Sequence, residues 1–283
     1  MDRQRFLIPS LVILAAIVSI ALVQFGPTIH RTADDALTGL ERAERELRWR
    51  LGLPQPGTPD LERLDARLAD AGLTHGAAIL VRIFKKESEL ELWMKKGERF
   101  TRFATYPICR WSGTIGPKLK EGDRQSPEGF YTVSRRQLNP NSRWHRSFNV
   151  GFPNIFDRSH RRTGSFIMVH GGCSSVGCFA VTNPVVDELW RLVNEAFAGG
   201  QKRFQVHVFP FRMSDWNLAL HGGESWQPFW RDLKSGYDRF MQTAIPPRIS
   251  VCNKRYVVRA GEPGAIGSDP IEERCRPNLA SNS

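Results

Sequence analysis

Residues 168–183 read MVHGGCSSVGCFAVTN: one histidine, two cysteines, a glycine beside each of the three, and no formal charge. Three chemistries use such residue types. A structural zinc site needs four ligands, and His170, Cys173 and Cys178 supply three with no second cluster nearby, so no metal is expected. A redox pair is disfavoured because no C-x-x-C occurs. A nucleophile with its base needs a thiol beside a histidine, and backbone N–H groups for the developing oxyanion. Glycines let the backbone approach a substrate closely. His170-Gly171 followed by Ser175-Val176-Gly177-Cys178 meets those needs in outline. Taken alone, a Cys/His pair is more often structural than catalytic.

The flanking elements must hold these residues in place. Phe166 to Val169 is a short apolar run that reads as a buried strand delivering His170 at its end. Pro184 opens a helix, PVVDELWRLVNEAFAGG, and Gly199-Gly200 stops it. Upstream, GAAILVRIFKK, ELELWMKKG and RFTRFATYPI alternate as three strands joined by short charged turns. SPEGFYTVSRR, RSFNVGF and QVHVFPF add further strands. Helices are expected around SDWNLALHG and QPFWRDLKSGYDRFMQ. The expected fold is therefore mainly β with peripheral helices.

The expected organisation is a signal segment over 1–27, a helical linker over 28–73, a catalytic domain with C-terminal helices over 74–260, and a flexible tail over 261–283. A basic MDRQR flank precedes the charge-free FLIPSLVILAAIVSIALVQF. Twenty residues at about 1.5 Å each span roughly 30 Å, enough for a bilayer core. The basic flank stays in the cytoplasm, so the remainder is expected outside, in the periplasm. Ser19-Ile20-Ala21 offers a cleavage site, but the apolar run continues through Leu22 and Val23, which favours an inner-membrane anchor over a cleaved signal. The linker stretch ADDALTGLERAERELRWRLG, with leucines at 37, 40, 47 and 51, reads as an amphipathic helix or a solvated spacer.

Export gives the cysteines a meaning. The default outside the cytoplasm is pairing, and five cysteines leave one thiol over as a candidate nucleophile. The 40 Lys and Arg against 29 Asp and Glu, net +11, suit an anionic partner. No RNA-binding aromatic motif, helix-turn-helix pattern or basic low-complexity tail points to nucleic acid.

The sequence resembles the L,D-transpeptidase catalytic domain of the YkuD type, and within it the YafK-like branch. The blocks that carry this are YPICRWSGTIGPKLKEGDRQSPEGFY (106–131), SFNVGFPNIFDR (147–158) and IMVHGGCSSVGCFAVTN (167–183), in that order. The resemblance covers roughly 75–215. It implies a β-sandwich-like core with an active-site channel, peptidoglycan as substrate, and no cofactor. It makes Cys178 the acyl-accepting thiol and His170 its general base. Gly177 and Cys178 lend oxyanion-hole N–H groups, and Ser175 stands near the histidine. Cys173 is the rival nucleophile but lacks the Ser-x-Gly prefix. Cys109 with Cys173, and Cys252 with Cys275, are the pairings this leaves open.

Two positions depart from the family pattern. Val176 replaces a histidine, and Ala180 replaces an arginine that helps hold an anionic substrate. Another cation must then serve. Arg158, Arg161 and Arg162 lead directly into the active-site strand and are the expected substrate-binding residues, with His145 as a further site residue. Lys118, Lys120 and Arg124 lie in an earlier block. The expected activity is thiolate attack on amides next to diaminopimelate, followed by transfer to an amine or to water, with release or attachment of wall-linked lipoprotein within its scope. The alternative is a catalytically inactive peptidoglycan-binding wall protein.

Overall fold

The computed structural model describes residues 36–275. The expected anchor or signal segment, 1–27, lies outside the described residues, as do 28–35 and 276–283. Among the described residues no helix is long and apolar enough to cross a membrane.

Helix α1 covers residues 36–50 and α2 spans Leu64–Asp70. The alternating runs that follow become β1 (Ile79–Phe84), β2 (Glu89–Lys96) and β3 (Arg99–Pro107), an antiparallel meander. The chain continues through β4 (Arg110–Trp111), β5 (Gly129–Ser134), β6 (Leu138–Ser142), β7 (His145–Asn149), α3 (Ile155–Ser159) and β8 (Met168–His170). After β9 (Phe179–Ala180) come α4 (Asn183–Ala198), β10 (Arg203–Phe209), α5 (Asp215–Leu220) and α6 (Gln227–Thr243). The last elements are β11 (Arg248–Cys252), β12 (Arg255–Arg259) and β13 (Glu272–Glu273).

Among the described residues these form two five-stranded sheets and one of three strands, in the orders β3-β2-β1-β10-β5, β4-β9-β8-β7-β6 and β12-β11-β13. The mainly β fold with peripheral helices is as expected. The core follows from strand alternation. Ile79, Val81 and Ile83 on one face of β1 pack with Phe148, Val169 and Phe179 of the second sheet and with Val185, Leu189 and Leu192 of α4. Each such side chain contributes roughly 1.5–3 kcal/mol on burial. Phe84, Phe130 and Phe209 face the other way, onto Trp230 and Leu233 of α6 and onto Ile249 and Tyr256. Gly236 permits that approach: a Cβ there would lie 2.4 Å from Phe130 Cζ.

Three expectations change. The C-terminal region is not closed by helices alone, because the hairpin β11–β12 follows α6. Its turn is Asn253-Lys254, with φ of 48° and 60°, so both central residues are left-handed as a two-residue hairpin requires. The familiar signal for that turn is Asn-Gly, which is why Asn-Lys hides it. The tail expected to be loose from Gly261 is fastened as far as residue 275. Gln201 Nε2 donates to Ile266 O, Ser268 Oγ to Arg203 O, and Cys275 is bonded to Cys252. Finally, α1 meets the domain through its arginines while Leu37, Leu40, Leu47 and Leu51 are exposed. The cause is Trp111, over which the Arg42 guanidinium lies at 3.5 Å.

Candidate active site

Strands β8 and β9 run parallel, with Val169 opposite Phe179 and His170 opposite Ala180. Cys178 therefore stands level with Met168. Because faces alternate along a strand, its side chain shares a face with Met168 and His170, while Val169 points into the core. The local geometry agrees: the Met168 N–H donates to Cys178 Sγ at 3.4 Å, and Sγ lies 3.7 Å from Phe166 O. Phe166 holds φ at 56°, a costly conformation for a bulky residue, and thereby presents that carbonyl to the thiol.

Four of the five cysteines are paired, Cys109 with Cys173 and Cys252 with Cys275, and Cys178 is the free one. Cys173 is thus removed as a rival nucleophile. Its disulfide packs against the fully buried Ala180. An arginine side chain at position 180 would have to displace that disulfide.

A web of hydroxyls fixes the backbone of Cys178. Ser126 Oγ and Ser175 Oγ both donate to Cys178 O, at 3.0 and 2.8 Å. Ser112 Oγ is 2.8 Å from Ser175 Oγ, and the Ser112 N–H donates to Ser126 Oγ. Ser175 therefore positions the loop. Gly177 is needed for its φ of 122°, which side-chain-bearing residues rarely adopt. Its N–H donates to Ser175 Oγ at 3.2 Å, so it is engaged within the loop and is not an open oxyanion donor. Among the described residues no hydrogen bond takes the Cys178 N–H.

His170 is buried at the end of β8. Its Nδ1 is 2.5 Å from Gly171 O. A carbonyl only accepts, so Nδ1 carries the proton and Nε2 keeps its lone pair. Burial lowers the His170 pKa, while the Gly171 contact opposes that more weakly. Burial also raises the Cys178 thiol, against the Met168 N–H and the charge of Lys118. The resting pair is thus a neutral thiol and a neutral imidazole. The two side chains make no hydrogen bond to each other. They are diagonal neighbours across the strand pair, a spacing that long or aromatic side chains can bridge.

The expected substrate cations separate. Arg162 is 6% exposed and pairs with the fully buried Asp157 at 2.9 Å, between the rings of Phe156 and Phe229. This corrects its expected substrate role, since reaching a ligand would abandon a buried carboxylate. Arg158 is exposed, and its guanidinium is tied to Pro153 O. Arg161 is exposed at a φ of 58°. His145 is exposed and bound to Asp187 at 2.8 Å, beside Arg146 on the same carboxylate.

Two other residues stand close to the pair: Lys118, named above only as part of an earlier cationic block, and Trp144, which the sequence reading passed over. Lys118 is buried, held by Asp123 at 2.5 Å, and its charge acts on the thiol. It belongs to the earlier cationic block. Trp144, next to His145, stacks on the His170 ring at 6.2 Å and 27°. A Cβ on Gly172 would fall 3.1 Å from the Trp144 ring, and one on Gly171 only 2.4 Å from Asn183 Oδ1. The His-Gly-Gly run is the visible trace of that close packing. Leu119, Trp144, Phe166 and Val176 are exposed apolar side chains, Val176 to 75%.

Residues 79–208 match the L,D-transpeptidase catalytic domain, YkuD. Two curated relatives, both named "Putative L,D-transpeptidase YafK", come from Escherichia coli strain K12 and from Escherichia coli O157:H7. Each is 45% identical over 208 residues, covering 73% of this chain and 81% of the relative. Among solved structures, the helical cell shape determining protein Pgp2 from Campylobacter jejuni is 19% identical, with a TM-score of 0.40 over 63% of this chain and 66% of that one.

Proposed function

The chain belongs to the L,D-transpeptidase catalytic-domain family, and on that premise we propose that it is an exported cysteine acyltransferase or hydrolase of peptidoglycan. Its substrate bond is an amide next to diaminopimelate in a stem peptide. The observation that carries this reading is the placement of the free thiol of Cys178 on the same strand face as a buried His170 whose Nδ1 is committed to Gly171 O.

The chemistry follows from the protonation states. The amide carbonyl carbon is attacked by Sγ as His170 Nε2 takes the thiol proton. A C–S bond forms, and the oxyanion faces the Cys178 N–H. Collapse breaks the C–N bond, and the imidazolium returns its proton to the departing amine, leaving a thioester at Cys178. Water or an amine then attacks the thioester, gives its proton to His170, and the thiolate leaves and is reprotonated by the imidazolium. Burial suits this sequence. A lowered His170 pKa keeps the base neutral at pH 7, and a thiol raised by desolvation becomes a strong nucleophile once deprotonated.

The compartment is the periplasm, with the segment over 1–27 as an inner-membrane anchor or cleaved signal. Wall-linked lipoprotein is a partner through the amide that joins it to the stem. The testing experiment is mass spectrometry of sacculi incubated with the protein and with Cys178→Ala. New stem ends, cross-links or released protein only with the intact thiol support the reading. Identical muropeptide profiles would remove it.

A further inference from the structure

A cavity of about 600 Å³ opens between α1 and the nucleophile loop, lined among others by Arg42, Arg110, Trp111, Arg124, Ser175 and Val176. Three arginines face it against one acid, Glu46. Glu46 is already paired with Arg110 at 3.0 Å. Arg124 makes no ion pair among the described residues and sits in an exposed loop at a φ of 51°. Arg42 lies flat over Trp111 at 3.5 Å and donates to Gly113 O, yet its Nε is buried without a partner. Burial lowers the Arg42 pKa to about 10, so the group stays charged at neutral pH. A desolvated guanidinium with an idle donor costs stability unless an anion takes it up. The far wall is Ser175 and Val176, which directly precede Gly177 and Cys178 in the chain.

We propose that this cavity is a substrate subsite that receives a carboxylate of the peptide acted on, through Arg42, Arg110 and Arg124. The α1 helix, outside the 79–208 match, then forms one wall of the active site. The inference rests on the proposed function for the identity of the peptide. The subsite supplies the cation that the buried Ala180 cannot. Stacking on Trp111 and the Arg110–Glu46 pair preset two of the three guanidinium groups, so little side-chain freedom is lost on binding.

The test is calorimetric titration of the Cys178→Ala protein with the tripeptide L-Ala-γ-D-Glu-meso-diaminopimelate, which cannot react there. Arg42→Gln and Arg124→Gln should each weaken binding about 10-fold, the scale of one charge-assisted contact. Arg99→Gln, at the start of β3, should leave it unchanged. The same tripeptide with its carboxyl groups amidated should bind the parent protein as weakly as the acid form binds the variants. Arg124 lies in an exposed loop, so its variant keeps the test valid if Arg42→Gln unfolds α1. Equal affinity of parent and both variants, or of acid and amide, would overturn the subsite. On the intact thiol protein, sacculus turnover with KM unmoved in both variants also sinks the subsite while sparing the reaction. Binding that depends on Arg42 and Arg124 without any turnover upholds the subsite and removes the reaction.

Discussion

The two sides of the nucleophile loop are built on different principles. At Cys178 itself the scaffold is tied down: Ser126 and Ser175 hold Cys178 O, Ser112 holds Ser175, a disulfide clamps the loop, and His170 Nδ1 is fixed by a carbonyl. On the α1 side, side chains are partly exposed and cations outnumber anions. Chemistry needs atoms held within fractions of an ångström, which buried hydrogen bonds and covalent links provide. Recognition of an anion needs donors still able to take a new partner. The block around Arg162 shows what happens when an arginine has no such capacity: with Asp157 it becomes part of the core.

The comparison breaks most sharply at the thiol. Cys178→Ala should abolish turnover, scored by muropeptide mass spectrometry, with the fold intact by melting temperature. Residual turnover at wild-type rates would mean that the clamped side carries no chemistry.

Removing the base should cost less. His170→Ala is expected to lower kcat by about 10²–10⁴-fold. The pH profile sharpens the point. Because burial lowers the His170 pKa, the neutral base persists below the ordinary histidine value of about 6.5, and the acid limb of kcat/KM should fall there. The thiol is shifted upward by burial, so alkylation of the resting enzyme by iodoacetamide should rise only at a higher pH than for a free cysteine thiol. An alkylation midpoint below neutrality would show a resting thiolate–imidazolium pair instead.

The cation contrast has its own stability test. Arg162→Met strands Asp157 in the core and should cost about 3–5 kcal/mol in denaturant melts. Arg158→Gln and Arg161→Gln should stay within about 0.5 kcal/mol. Comparable losses at all three positions would mean that Arg162 is no more structural than its neighbours.

The two disulfides differ in the same sense. Cys109–Cys173 closes 64 residues and Cys252–Cys275 closes 23. Loop entropy assigns them about 4 and about 3 kcal/mol respectively. Replacing the first pair by alanines should also lower kcat, because the link borders the nucleophile loop. Replacing the second should leave kcat unchanged. The smallest expected effect is Ser175→Ala, about 1 kcal/mol, since Ser126 Oγ still holds Cys178 O. A kcat loss there as large as that of His170→Ala would give Ser175 a direct part in the chemistry.

Local pattern was enough for much of this protein. Alternation marked β1, β2 and β3, and Pro184 with Gly199-Gly200 bounded α4, because each is set by residues adjacent in the chain. The odd cysteine count left one thiol over, and it was the family resemblance, through its Ser-x-Gly-Cys element, that pointed to Cys178. What decided the rest was contact between distant segments. Trp144 reaches His170 only because β7 and β8 pair, and the partner of Arg162 is hidden by a turn of helix that folds Asp157 inward. Lys118 reads as one of several surface cations until Asp123 and the loop around Gly164 enclose it. Arg42 reads as the polar face of an amphipathic spacer, yet it is the leucines that face water and the arginine that meets Trp111. Sequence periodicity states which faces differ in polarity. Which of them is covered depends on the surface that the rest of the chain presents, and here that surface is an aromatic ring that a guanidinium covers better than a leucine.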